Sequence, residues 1–151
     1  PIEVELITSI SIIDVDFIFI LIDVYPEKFE YSKTARNYLK SDYPMSGYEL
    51  MIRGELFRGR FRKGFDNPLP FKPEEITPVN YTLYDVAHTF LPGHRLMIQI
   101  QSSWFPIIDR NPQRFINTYN CTVEDFMMKQ KIKIYHQQGA ASRVILPVVK
   151  K

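Results

Sequence analysis

Cysteine is nearly absent. Cys121 is the single one in 151 residues, so no internal disulfide can form, and the compartment stays open because many exported proteins also lack bridges. Charge of one sign is equally scarce. A net charge of +2 supplies no broad positive field, which argues against nucleic acid or a membrane surface as partner. There is no long apolar run either. The most apolar stretch, residues 10–25, is broken by Asp14, Asp16 and Asp23, whereas a helical span needs about 20 mostly apolar residues. No segment keeps a helical period over three turns, and no unit repeats at a fixed length. Gly-x-Ser-x-Gly, the turn that exposes the nucleophile of an α/β-hydrolase, is missing around every serine. An initiator methionine and a signal peptide are missing too. The chain opens Pro1-Ile2-Glu3-Val4, already strand-like, which reads as a piece cut from something longer.

What is there points to strands. Hydrophobic residues make up 45% and charged residues 24%, the mix of a folded domain, and 11 prolines with 14% aromatics favour an all-β chain rich in turns. Ile2, Val4 and Leu6 alternate with Glu3 and Glu5 as in a half-buried strand. From Val15 to Val24 both faces are apolar, with Val15, Phe17, Phe19 and Leu21 on one and Ile18, Ile20 and Ile22 on the other. A sandwich leaves its outer faces wet, so such a strand asks for a neighbour beyond this chain, another domain or a second copy. Residues 48–62 read as one extended run, with Leu50, Ile52 and Leu56 on one face and Arg58, Arg60 and Arg62 continuing it. Val79, Tyr81 and Leu83 form a further strand. Leu96, Ile98 and Ile100 follow the turn Leu91-Pro92-Gly93-His94, and Ile132 with Ile134, then Val144, Leu146 and Val148, give the last two. One short helix is expected at 33–39, and Thr122 with Asp125 can cap one helical turn. The expected fold is an all-β sandwich of the jelly-roll kind, residues 1–151 forming a single domain or most of one.

Candidate chemistry is thin. Ser102 and Ser103 lie near His88 and His94 in sequence, but serines at a strand end are the plainer reading, because a triad is recognised by geometry. Asp14, Asp16 and Asp23 offer oxygen ligands and the two histidines nitrogen, yet the spacing fits no zinc pattern and no EF-hand, so no metal is expected, and Asp14 and Asp16 are read as flanking a β-turn or hydrogen-bonding to loop amides. Arg53, Arg58, Arg60 and Arg62 interleave with Phe57 and Phe61, a stripe that Glu49 and Glu55 dilute. Asp109-Arg110-Asn111-Pro112 reads as a structured loop, and Cys121 as an inert thiol. Tyr25, Tyr31, Tyr38, Tyr43 and Tyr48 are enough aromatics for a sugar-binding platform. No cofactor is called for.

Five stretches taken in order carry a resemblance. They are Asp16-Phe17 with Leu21-Ile22-Asp23-Val24-Tyr25-Pro26; Ile52-Arg53-Gly54-Glu55 with Arg58-Gly59-Arg60-Phe61-Arg62; His88-Thr89-Phe90-Leu91-Pro92-Gly93-His94-Arg95; Gln101-Ser102-Ser103-Trp104-Phe105-Pro106 with Asp109-Arg110-Asn111-Pro112; and Ile145-Leu146-Pro147-Val148. Together the set resembles the C-terminal domain of the cocaine esterase, α-amino-acid ester hydrolase and glutaryl-cephalosporin acylase group, related to that of the X-Pro dipeptidyl-peptidases. The resemblance implies a non-catalytic jelly roll, galactose-binding-like in fold and truncated at its N-terminal side. The Ser, Asp and His of the triad would then belong to a preceding α/β-hydrolase domain of the same polypeptide, absent from this chain, and no catalytic residue carries over. It also implies a parent exported to the periplasm or secreted. Asp16, Asp23, Arg53, Gly54, Arg60, His88, Gly93, His94, Arg95, Ser102, Ser103, Asp109, Arg110 and Asn111 are expected to be structural, with His94 and Arg95 anchoring their turn on a carboxylate such as Asp109. Trp104, Phe105 and Pro106 are expected at a domain interface or cleft. The alternative is a free-standing carbohydrate- or protein-binding module.

Overall fold

Alternating apolar residues in Ile2–Ile10 (β1) and a run apolar on both faces in Asp16–Val24 (β2) make these strands the centres of two antiparallel sheets. The computed structural model describes residues 1–38, 43–126 and 129–149, apart from the side chains of residues 37 and 38. After β2 come the short helix Lys33–Tyr38 (α1) and the strands Glu49–Arg58 (β3), Thr77–Leu83 (β4) and Arg95–Gln101 (β5). Ile132–Ile134 (β6), His136–Gln137 (β7), Ala140–Ala141 (β8) and Arg143–Ile145 (β9) complete the fold. In the first sheet β1 is flanked by β4 on one edge and by β6 and β9 on the other. In the second the order is β3-β2-β5, and β7 with β8 forms a separate hairpin.

The sheets meet through one core. Ile2, Val4, Leu6 and Ile10 of β1 pack with Phe17, Phe19 and Leu21 of β2, joined by Val15, Phe71, Val79 and Leu83. Each buried branched or aromatic side chain contributes roughly 1.5–3 kcal/mol on leaving water, so this layer dominates the stability.

The expected strands are present, with three corrections. The extended run ends at Arg58, and Gly59–Phe61 turns as a 3-10 helix, so Arg60 and Arg62 leave the sheet. Gly59 is needed there because a Cβ would lie 2.7 Å from the Phe71 ring and 2.8 Å from the Val15 carbonyl oxygen. A bulge opposite Leu21 and Ile22 also breaks the phase of β3. Ile52 therefore packs into the inter-sheet core while Leu56 lies on the opposite face. Finally, β9 stops at Ile145, ahead of Pro147, and Val148 is exposed.

The doubly apolar strand finds its cover inside the chain. All nine residues of β2 are buried. Its outer row, Ile18, Ile20, Ile22 and Val24, packs under Leu56, Met97 and Trp104. The expectation that this strand needs a neighbour beyond the chain is therefore corrected. A side chain from the loop after β5 supplies what an outer layer would.

Candidate functional site: two polar clamps on one strand

Both ends of β2 carry buried carboxylates, and polar residues of the five stretches gather around them. At the C-terminal end, Asp23 is 1% exposed. His88 Nε2 lies 2.9 Å from its Oδ2 and His94 Nδ1 2.9 Å from its Oδ1. A carboxylate only accepts, so the ring nitrogen of each histidine that faces it donates. Tyr25 packs on the His94 ring at 4.4 Å, and Phe90 meets His88 edge-on at 4.9 Å. Gly93, at φ +85°, lets the chain turn before His94, whose N–H donates to the Leu91 carbonyl at 3.1 Å. One carboxylate thus holds the whole 88–94 connection against the sheet.

At the N-terminal end, Asp14 and Asp16 form the second clamp. Arg60 donates from Nε (2.8 Å) and Nη2 to Asp14 Oδ2, while its Nη1 and Nη2 reach the carbonyls of Ile116 and Arg114, both at 3.0 Å. Asn111 Nδ2 bridges the two acids, at 2.8 Å from Asp16 Oδ1 and 3.3 Å from Asp14 Oδ2. Its Oδ1 accepts the Gln113 backbone N–H at 2.7 Å. Gln130 Nε2 donates to the Asp14 carbonyl at 3.1 Å, and Arg58 Nε stands 4.0 Å from Asp16 Oδ2. Burial pushes the Asp16 carboxyl up to about 6, with the Asn111 amide and the Arg58 charge pulling it partly back.

The remaining predicted residues lie elsewhere. His94 is anchored on Asp23 and not on Asp109, which is exposed. Arg95 is largely exposed, its nearest carboxylate being Glu27 at 3.9 Å. Arg53 donates to the Asp85 carbonyl at 2.7 Å, and Arg110 stands 5.9 Å over the Phe126 ring. Gly54 is where Trp104 crosses the sheet, because a Cβ there would lie 2.4 Å from Trp104 Cη2. Trp104 is therefore half-buried on β2 and β3, whereas Phe105 and Ile107 are 66% and 71% exposed and Pro106, after a cis bond, is exposed. Sequence reasoning gave Asp14 hydrogen bonds to loop amides, as Asn111 supplies, but missed its ion pair with Arg60 and the contact of Gln130 with its carbonyl. It also missed Ser142, whose hydroxyl accepts from Ile7 N–H at 2.9 Å. The signal available for Asp14 was its two-residue spacing from Asp16, ambiguous between loop, ligand and clamp.

Chemically the two clusters hold the chain together and offer no reaction centre. Each imidazole has a ring nitrogen engaged by Asp23, and among the described residues neither Ser102 nor Ser103 hydrogen-bonds to a histidine. Both serines are exposed. Among the described residues no group of three or more His, Cys, Asp or Glu is arranged to hold a metal ion. Of the tyrosines, Tyr25 is packed on Phe29, Tyr48 and His94, and Tyr31 meets Phe29 edge-on and donates to the Tyr43 carbonyl, whereas Tyr43 and Tyr48 are 58% and 47% exposed. Tyr38 is outside the side chains described.

A two-sheet scaffold whose signature residues clamp its own loops is a structural domain. The pattern of the X-Pro dipeptidyl-peptidase C-terminal non-catalytic domain matches residues 1–145, and the chain belongs to that family. Cocaine esterase from Rhodococcus sp. (strain MB1 Bresler) is 28% identical over 157 residues, covering 100% of this chain and 24% of the esterase. Among solved structures, a selenomethionine-labelled α-amino acid ester hydrolase superposes with a TM-score of 0.82 at 37% identity, over 95% of this chain and 22% of the other. An aminopeptidase from a marine sediment archaeon, Thaumarchaeota archaeon, gives 0.82 at 33% identity with the same coverages, 95% and 22%. The chain thus spans about a quarter of the lengths of these relatives.

Proposed function

We propose that this chain is the accessory C-terminal domain of a serine hydrolase, an esterase or acylase acting on ester or amide bonds. It has no catalysis of its own, and it packs on the catalytic domain to help shape the active-site cleft. One observation carries the reading of where it packs. Trp104 is sunk onto β2 and β3 as an anchor, and the residues right after it, Phe105-Pro106-Ile107, present apolar surface to the outside. Two large apolar side chains held out on a firmly rooted loop are what an interface needs and what a free surface avoids. The family match supports the non-catalytic role, and the similarity to an esterase, an ester hydrolase and an aminopeptidase supports the chemistry of the parent.

The test is the double substitution Phe105→Ser with Ile107→Ser in the full polypeptide that carries this domain. Exposed positions tolerate polar residues within about 0.5 kcal/mol, so the sandwich is expected to keep its own melting behaviour. Hydrolase activity should fall, and limited proteolysis should separate the two domains faster. Unchanged activity and unchanged proteolysis would show that this loop is not the contact.

A further inference from the structure

The loop after β5 has two roots with an exposed tip between them. The first root is Trp104, seated on Gly54 over the outer row of β2. Ile108 N–H donates to the Trp104 carbonyl at 3.0 Å, closing residues 104–108 into one turn on which Phe105 and Ile107 stand outward. Three residues further on, the chain enters the clamp at the N-terminal end of β2. There Asn111 bonds both Asp16 and Asp14, and Pro112 is buried. Arg60 holds the carbonyls of Arg114 and Ile116, its guanidinium 5.0 Å over the Phe115 ring. Three residues reach about 10 Å at most, so the tip stays in place while both roots hold.

The two roots differ in kind. Trp104 is held by apolar contact, which involves no proton. The second root is tied to a carboxyl that is 2% exposed, with Asn111 of the loop bonded directly to it. The charged groups facing Asp16 are Arg58 at the end of β3, Asp14 just ahead of β2, and Arg60 in the 3-10 turn. Lifting the loop takes Asn111 away and readmits water to Asp16. Burial raises that carboxyl to about 6 and outweighs the Asn111 bond, which lowers it. With the loop lifted, Asp16 therefore ionises more readily, and by linkage a proton on Asp16 holds the loop down.

We infer that the clamp around Asp14 and Asp16 positions the docking loop: through Asn111 and Arg60 it fixes where Phe105 and Ile107 stand, and ionisation of Asp16 loosens that hold. Asn111 and Arg60 are thus positioning residues for the interface without belonging to its surface. The inference rests on the proposed function for what the tip meets, whereas the hold itself lies within this chain. The contribution of the proton is full below about pH 4 and is lost as pH rises through about 6.

Hydrogen exchange of the segment 104–111 in the full polypeptide, corrected for the intrinsic effect of pH, tests the hold. Opening of the tip is expected to be about tenfold rarer at pH 5 than at pH 8. Asp16→Asn keeps an acceptor for Asn111 but cannot ionise, and should erase that difference. Asn111→Ala should raise exchange of the tip at both pH values while β2 keeps its protection. With Phe105 and Ile107 intact, it should also speed the proteolytic separation of the domains. A tip as protected in Asn111→Ala as before would overturn the inference, and so would a pH difference that survives in Asp16→Asn. Should Asn111→Ala loosen β2 as well, the Asp16→Asn comparison decides alone. Domain separation that ignores Phe105→Ser with Ile107→Ser would end the proposed function, while exchange of the tip would still decide the role of the clamp.

Discussion

Asp16 is a buried acid that the fold keeps at a cost. Its two ligands, the Asn111 amide and the Arg58 guanidinium, only partly offset the loss of water, and the carboxyl is raised from 3.8 to about 6. The native state therefore binds a proton more tightly than the unfolded chain does. Below about pH 4 both states are protonated and the penalty is absent. As pH rises from about 4 to 6 the unfolded carboxyl ionises first, and stability falls by an amount on the order of 3 kcal/mol, then levels off. Asp16→Asn is expected to remove this slope and to stabilise the domain at pH 8 relative to pH 4, as read by urea unfolding at each pH. An unchanged slope would mean that the titration comes from another group. Asp14 beside it is held by Arg60, which the Gly59 turn delivers and two loop carbonyls fix. The pair makes a staple between strand and loop, and breaking such a buried pair typically costs about 3–5 kcal/mol.

At the scale of the element, β2 organises the molecule. Its inner face makes the core and its outer face is roofed by Trp104, which lies flat enough over β3 that only a glycine fits at position 54. Trp104→Ala is expected to cost about 3–5 kcal/mol and Gly54→Ala about 1–3, by uncovering and by overpacking the same patch. Joining Gly54→Ala to Trp104→Leu should cost less than the sum, and thermal unfolding of the three variants checks this. Strict additivity would place Trp104 away from Gly54. Much of this scale was readable beforehand. Period-two alternation marked β1, β4 and β5, because each has a face against one apolar layer, and the run apolar on both faces marked β2. The bulge at β3 was not legible, since alternation cannot reveal an extra residue. Nor was the roof over β2, because a tryptophan in a loop carries no sign of which face it will cover. The clamps were half visible: the resemblance marked Asp16, Asp23, Arg60, His88, His94 and Asn111 as structural, but pairing Asp23 with two histidines 65 and 71 positions away needs the fold. The pairing of β7 with β8 was missed, each strand having only two residues to show a period.

For the whole molecule, the account is of a scaffold. The polar residues that a search for catalysis would choose are committed to holding loops on β2, and the apolar side chains of Phe105 and Ile107 stand exposed outside the core. The central claim is that residues 1–151 hold no nucleophile and that the parent's reactive serine lies outside them. The direct measurement is labelling of the full polypeptide with a fluorophosphonate ester, followed by peptide mapping by mass spectrometry. The account predicts a single modified serine outside residues 1–151, with Ser102 and Ser103 unlabelled. A stoichiometric adduct on either of those two serines would contradict it.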